Sequence, residues 1–243
     1  MATTAGAEPP RAAPFFASWK GALAAALLGA LLGAGAMFAF SGPIVRDYLL
    51  THPELVPEAM QRLEADEAAK AVEANRAAIE TPFAGAWAGA KDGDVTLVEF
   101  FDYACPYCRR SNADVDRLLK EDPKLKVVWR EWPVLGPDSE AAARASLAAA
   151  GAGKFKPFHD ALFADGRPSP ETIAGVQQAV GVPAEAVKPG EASQSELERN
   201  YRLASTLKAS GTPTFVVGDR ILQGAVGYDT LKAAIAEARA RKG

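Results

Sequence analysis

Cys105-Pro106-Tyr107-Cys108 is the feature that most constrains this chain, because it contains both of the cysteines in the sequence. The pair follows the apolar run Val95-Thr96-Leu97-Val98-Glu99-Phe100-Phe101 and precedes a helical pattern over residues 106–120. A strand that delivers a C-x-x-C pair onto a helix start is the layout of a thiol–disulfide redox site. The helix dipole and its unpaired N–H groups favour a thiolate on the first cysteine. Pro106 suits the first turn, where its missing N–H costs nothing. A structural zinc site needs about four ligands. The sequence offers His52 and His159 and no second cysteine pair, so no metal is expected within one chain. A purely structural disulfide would close a very short loop and constrain the unfolded chain little.

The second constraint lies near the N-terminus. Residues 21–40, GALAAALLGALLGAGAMFAF, carry no charge. Twenty such residues in a helix span about 30 Å, the thickness of a bilayer core. Arg11 and Lys20 precede the run, which keeps the N-terminus cytoplasmic and sends the rest across. Trp19 and Phe40 suit the two interfaces. An uncleaved anchor is the preferred reading, with a cleaved signal peptide ending near Ala34-Gly35-Ala36 as its competitor. Either way the domain is exported, and an exported C-x-x-C pair points to disulfide chemistry in an oxidising compartment. The net charge of −3, without a basic cluster, gives no support for a nucleic-acid partner.

Residues 1–20 hold Pro9, Pro10 and Pro14 and read as a disordered tail. Residues 1–42 form the tail and membrane or signal segment. Residues 43–82 read as a helical stalk, broken by Pro53 and Pro57, with an apolar stripe that includes Val45, Leu49, Met60, Leu63, Val72 and Ile79. The stalk is either a solvated linker or a homo-oligomerisation element over 44–80. Residues 83–243 form the catalytic domain. Strands at 95–101 and 125–132 flank the helix at 106–120, a βαβ unit with parallel pairing. Helical patterns at 139–150, 154–163, 171–180 and 193–210 follow, with Ser139 and Ser193 as candidate caps. Four helices in succession indicate an inserted helical domain, about 137–209. Strands return at 214–217 and 220–223, and a helix at 228–241 closes the chain.

The run from Val98 to Cys108, the loop Gly211-Thr212-Pro213-Thr214-Phe215 and the helical insertion between them resemble the DsbA-like oxidoreductases of the thioredoxin superfamily. The resemblance covers residues 81–243 and implies an α/β, thioredoxin-like fold with an inserted helical domain. It implies a thiol–disulfide oxidoreductase, oxidase or isomerase, whose redox group is the Cys105–Cys108 disulfide, with no other cofactor. It implies a cis Thr212–Pro213 bond, with Thr212 pairing to a substrate backbone and Pro213, Pro106 and Tyr107 completing the binding surface. Read from the residues alone, that bond is an ordinary trans one at a strand start. The family also places a buried acid at Glu99, aiding proton movement at the second cysteine; on an alternating strand Glu99 would instead face solvent.

Two departures matter. Pro-Tyr between the cysteines replaces the Pro-His of strongly oxidising DsbA enzymes, which removes a cationic partner of Cys105 and points to a less oxidising potential. Threonine before the proline is reminiscent of disulfide isomerases. With the stalk, the layout resembles the oligomeric, suppressor-of-copper-sensitivity branch, the ScsC type. The implied partners are cysteine-containing exported proteins and a membrane redox protein that reoxidises or reduces the dithiol. The implied location is the bacterial inner membrane with the catalytic domain in the periplasm, or the periplasm itself after cleavage. A client-specific assembly or metal-binding module using the same cysteines is the alternative. Arg109 and Arg110 add positive potential near Cys105 or face solvent, and His159 packs in the helical domain.

Overall fold

The computed structural model describes residues 19–183 and 191–242, with the side chains at 36, 38–41, 43 and 242 outside the description. The tail at 1–18, including Arg11 and its prolines, therefore lies outside the described residues. The chain divides into two compact units, Met1–Gln61 and Arg62–Gly243.

The first unit holds helix α1 (Trp19–Thr51) and the start of α2 (Leu55–Glu80). The break between them falls at Pro53, which has no N–H to donate and would clash with the preceding turn. His52 N–H still reaches the Tyr48 carbonyl at 2.9 Å, and Leu55 N–H reaches the His52 carbonyl at 3.2 Å. Pro57 breaks nothing, because it sits in the first turn of α2, where that N–H has no intrahelical partner. Leucines 23, 27, 28, 31 and 32 of α1 are exposed. Among the described residues, no helix is long and apolar enough to cross a membrane, so the expected membrane segment finds no support there.

The second unit is built on five strands: β1 (Trp87–Gly89), β2 (Val95–Phe101), β3 (Leu125–Glu131), β4 (Thr214–Val217) and β5 (Arg220–Gln223), in the order β1-β3-β2-β4-β5. β2 and β3 run parallel, joined by α3 (Pro106–Glu121), and the other pairings are antiparallel. Among the described residues, four helices separate β3 from β4: α4 (Pro137–Gly151), α5 (Phe155–Asp165), α6 (Pro170–Val180) and α7 (Glu191–Thr206); α8 (Tyr228–Lys242) follows β5. This is the mixed α/β architecture with a helical insertion that the resemblance implies. Strand β1 was not anticipated. Ser139 and Ser193 are not caps: Gly136 caps α4 and Pro137 opens it, while α7 begins at Glu191.

Both faces of the sheet are covered, so β2 and β3 are near-continuous apolar runs rather than alternating ones. Leu97, Phe101, Val127, Trp129 and Phe215 pack with Val115 and Leu118 of α3, Leu231 of α8 and Phe155 and Phe158 of α5. Val98, Phe100, Val128 and Val216, on the other face, meet Leu203 of α7, Leu207 just after it, and Val72 and Ile79 of α2. The second half of α2 is thus built into this unit. Arg76 donates to the Gly218 carbonyl at 3.0 Å and pairs with Asp219 at 2.5 Å, which ties α2 to the β4–β5 turn.

Candidate active site: a dithiol at the start of α3

The active-site loop is short and pinned. After β2 ends, Asp102 accepts hydrogen bonds from the backbone of Ala104 (2.8 Å), Val134 (2.8 Å) and Leu135 (3.0 Å). Its own carbonyl accepts from Cys105 N–H at 3.0 Å. The loop before the cysteines and the loop after β3 therefore share one carboxylate. Cys105 takes the N-cap position of α3 with extended backbone (φ −80°, ψ 118°), and Pro106 occupies the first helical position.

The Thr212–Pro213 bond is cis. It brings the Thr212 carbonyl to 3.2 Å from the Cys105 sulfur, whose thiol donates to it. Cys105 is 4% exposed and Cys108 fully buried, so both sulfurs are more enclosed than a helix-start position alone suggests. Pro106 and Tyr107 between them are exposed. The sequence-predicted residues Pro106, Tyr107 and Thr212 thus surround the Cys105 sulfur near the surface, while Cys108 and Pro213 are buried.

The two thiols are driven apart in acidity. Cys105 falls to about 5: the Cys108 thiol donates to its thiolate, and the Thr212 side chain and the N–H groups of Cys108 and Tyr107 add to this against the opposing effect of burial. Cys108 moves strongly upward through burial, through the hydrogen bond it gives Cys105, and through the charge of Glu99. Hydrogen-bond donors thus do most to lower the Cys105 thiol.

Glu99 faces the α3 side of the sheet and is buried, not solvent-facing. In the ladder it stands between Trp129 of β3 and Phe215 of β4. Burial pushes its carboxyl up to about 8, the Trp129 indole N–H pulls it back, and the charge of Cys105 pushes it up again. The indole donates to Glu99 Oε2 at 3.1 Å. Trp129 is a residue that reading the sequence missed; the parallel register, which sets it directly across from Glu99, is the signal that would have found it.

Further buried groups lie behind the loop. Tyr103 hydroxyl shares hydrogen bonds with Ser146 (2.8 Å) and His159 Nδ1 (3.3 Å), and His159 Nε2 meets Asn112 at 3.1 Å. His159 packs against Phe101, Trp129, Phe155 and Phe163, as the sequence reading expects, and burial holds it neutral well below the usual imidazole range. Arg109 donates to the Phe163 carbonyl at 3.0 Å, a structural use, whereas Arg110 is exposed.

Residues 96–236 match the model of the DSBA-like thioredoxin domain, and residues 42–70 match that of the copper resistance protein ScsC N-terminal domain. The structure is similar to a thioredoxin-like oxidoreductase from Silicibacter pomeroyi DSS-3, 41% identical, with a TM-score of 0.61, covering 65% of this chain and 92% of that one. It is also similar to a linker-deleted variant of Proteus mirabilis ScsC, 29% identical, with a TM-score of 0.70, covering 85% of this chain and 96% of that one. Among curated proteins, a Na(+)/H(+) antiporter NhaA 1 from Salinispora arenicola is 30% identical over 62% of this chain. This chain spans only 24% of that protein's length.

Proposed function

Because the chain belongs to the DsbA-like thioredoxin-domain family, we propose that it is an exported thiol–disulfide oxidoreductase that forms, reduces or isomerises disulfides of envelope proteins through Cys105 and Cys108. One observation carries this reading. An acidified thiol sits at the N-cap position of a helix against the carbonyl of Thr212, with its partner thiol buried.

In the oxidised form, a client thiolate attacks the Cys105 sulfur. The Cys105–Cys108 bond breaks, and Cys108 leaves as a thiolate. Its high proton affinity demands a proton at once, and Glu99, holding one up to about pH 8, is the buried acid placed to give it. A second client thiolate then attacks the client sulfur of the mixed disulfide and releases Cys105 as a stable thiolate. Two electrons pass from two client thiols to the protein disulfide. In the reduced form, Cys105 attacks a wrong client disulfide and Cys108 resolves the complex, so the same atoms serve reduction and isomerisation. Thr212 pairs with the client backbone, and Pro213, Pro106 and Tyr107 complete the contact surface. The redox group is the dithiol itself, with no metal or organic cofactor. A membrane redox protein returns the dithiol to its working state.

The test is refolding of a reduced and of a scrambled multi-cysteine protein by the full chain and by Cys105→Ala. Activity on either substrate, lost in Cys105→Ala, supports the reading and identifies oxidase or isomerase. Activity on neither overturns it. The placement is the periplasm, by an apolar N-terminal segment that anchors or is cleaved; recovery of the chain in the cytoplasmic fraction refutes that placement. The ScsC-like stretch at 42–70 favours a second reading, a client-specific module of copper handling using the same cysteines. Copper titration of the reduced chain separates the two, since the second requires tight binding lost in Cys108→Ala.

A further inference from the structure

Beside the Cys105 thiol lies an open cleft of about 320 Å³. Tyr107 and Arg110 of α3 form one side; Gly211, Thr212, Gly224 and Ala225, in the loops before β4 and after β5, form the other. These walls are mostly backbone and small side chains, so the cleft has room for one incoming side chain. Among the described residues that line it, Arg110 is the one that carries a charge. Its guanidinium lies over the Tyr107 ring, 5.1 Å from the centroid, and no carboxylate among the described residues pairs with it. Most arginines of the domain do have such a partner, as with Arg76, Arg117, Arg130, Arg144, Arg220 and Arg239. The wall residue Thr212 is also the residue whose carbonyl meets Cys105. Residues of an extended chain rise about 3.3 Å each, so a client cysteine engaged at Cys105 sets its immediate neighbours at the mouth of this cleft.

Resting on the exchange activity proposed above, we propose that the cleft is a specificity site for an acidic side chain, Asp or Glu, next to the reacting cysteine of the client. A guanidinium fork held by an aromatic face suits a carboxylate in both charge and shape. The pair is exposed, so the preference is modest, roughly two- to fivefold.

The experiment uses the full chain in its oxidised form and short peptides with one cysteine flanked by Asp, Asn, Lys or Phe. The peptide thiolate attacks Cys105, the Cys105–Cys108 bond breaks, and Cys108 leaves and takes up a proton. Mass spectrometry after acid quench follows the mixed disulfide. Each rate is divided by that peptide's rate with hydroxyethyl disulfide, which removes the peptide's own reactivity. The uncharged 2-mercaptoethanol reports the site without the cleft. The Asp peptide should lead the Asn peptide by about threefold, with Lys slowest. Arg110→Gln should erase this order and Arg110→Glu reverse it, each peptide rate being read relative to the mercaptoethanol rate of the same variant. Ala225→Leu, which fills the cleft and keeps the charge, should also erase it. If Ala225→Leu retains the full preference, a long-range field is acting and the cleft assignment is overturned. A lead for the Phe peptide, or no order at all with mercaptoethanol still reacting, overturns the inference and leaves the exchange reading standing. Failure of mercaptoethanol itself sinks the exchange reading.

Discussion

Cys105 and Cys108 lie one turn apart on α3, yet the structure lowers one thiol and raises the other. The strongest cause at Cys105 is the hydrogen bond from Cys108, ahead of Thr212 and the helix N–H groups. A hydrogen bond to a charged group is worth about 1.5–3 kcal/mol, or about one to two pH units. Cys108→Ala should therefore move the Cys105 titration upward by about that much, as read by thiolate absorbance. In the native chain, alkylation near pH 6 should label Cys105 first. An unchanged titration in Cys108→Ala would show that the helix start alone sets the acidity. Glu99 gives a prediction of the opposite sign. Its carboxyl is held at about 8 in the fold against 4.5 when free, so the folded state keeps the proton longer than the unfolded chain does. Its stabilising effect is complete below about pH 4.5 and fades as pH rises toward about 8, by at most about 1.4 kcal/mol per pH unit. Denaturation across that range should show a shallower decline in Glu99→Gln. Trp129→Phe should extend the decline to higher pH, because the indole N–H is what pulls the carboxyl down. Glu131, buried on the same face and pushed upward by burial against a pull from Ser146, adds a slope of the same sign, so the difference between variants is the quantity to read.

At the scale of elements, the legible parts are those with strong local signals. The two strands at 214–217 and 220–223 match their expected limits because the glycine turn and β-branched residues act locally. β1 escaped because three residues of pattern WAG carry no period; it exists only through its antiparallel pairing with β3. The caps at Ser139 and Ser193 failed for another reason: Pro137 opens α4 before Ser139, and α7 already begins at Glu191, while Ser169 builds a reciprocal capping box with Thr172 on α6. Arg130 is the larger omission. It lies on a strand that reads as apolar, yet its guanidinium is buried beneath α2 and α7. It donates to the carbonyls of Ile79 (3.0 Å), Ala78 (2.5 Å) and Thr81 (2.5 Å), to Glu196 (2.8 Å) and to Asn200 (3.0 Å). The first three are carbonyls at the C-terminus of α2, which have no intrahelical partners. One side chain on β3 thus satisfies the end of α2 and neutralises a buried acid on α7. No local pattern announces such a role, since its partners lie about fifty and seventy residues away. Arg130→Ala leaves the buried Glu196 with the part-exposed Arg199 as its ion-pair partner and strips three carbonyls at the end of α2 of their donor, and should cost about 3 kcal/mol in urea denaturation. Arg130→Lys should recover only part of this, because one ammonium cannot serve five acceptors in that geometry. A loss below about 1 kcal/mol would mean that water reaches Glu196 and the carbonyls.

The whole molecule poses the question of what covers the first unit. Ile44, Val45, Tyr48, Leu50, Val56, Met60 and Leu63 are all exposed, while Val72 and Ile79 further along α2 are buried in the domain core. The apolar stripe of α2 therefore changes role along its length: its later part is part of the catalytic unit, and its earlier part has no cover of its own. An isolated helix gains stability mainly by packing. We expect self-association through residues 44–63, which would hold several Cys105 sites around one client and favour repeated attack on wrong disulfides over a single oxidation. The division at Gln61 and Arg62 also says where to cut. A chain starting at Thr81 would lose Val72 and Ile79 from the core and two of the three carbonyl partners of Arg130, so unfolding alone would explain a failure to associate. A chain starting at Arg62 keeps them. Light scattering of the chain from Ser41 should give an oligomer, and that from Arg62 a monomer with an unchanged melting temperature. Met60→Glu with Leu63→Glu in the longer chain should act like the truncation. If both chains are monomers, the helix is a spacer and oxidation in one pass becomes the better account of the dithiol; if both associate equally, the contact lies on the catalytic unit and the early half of the stalk has another use.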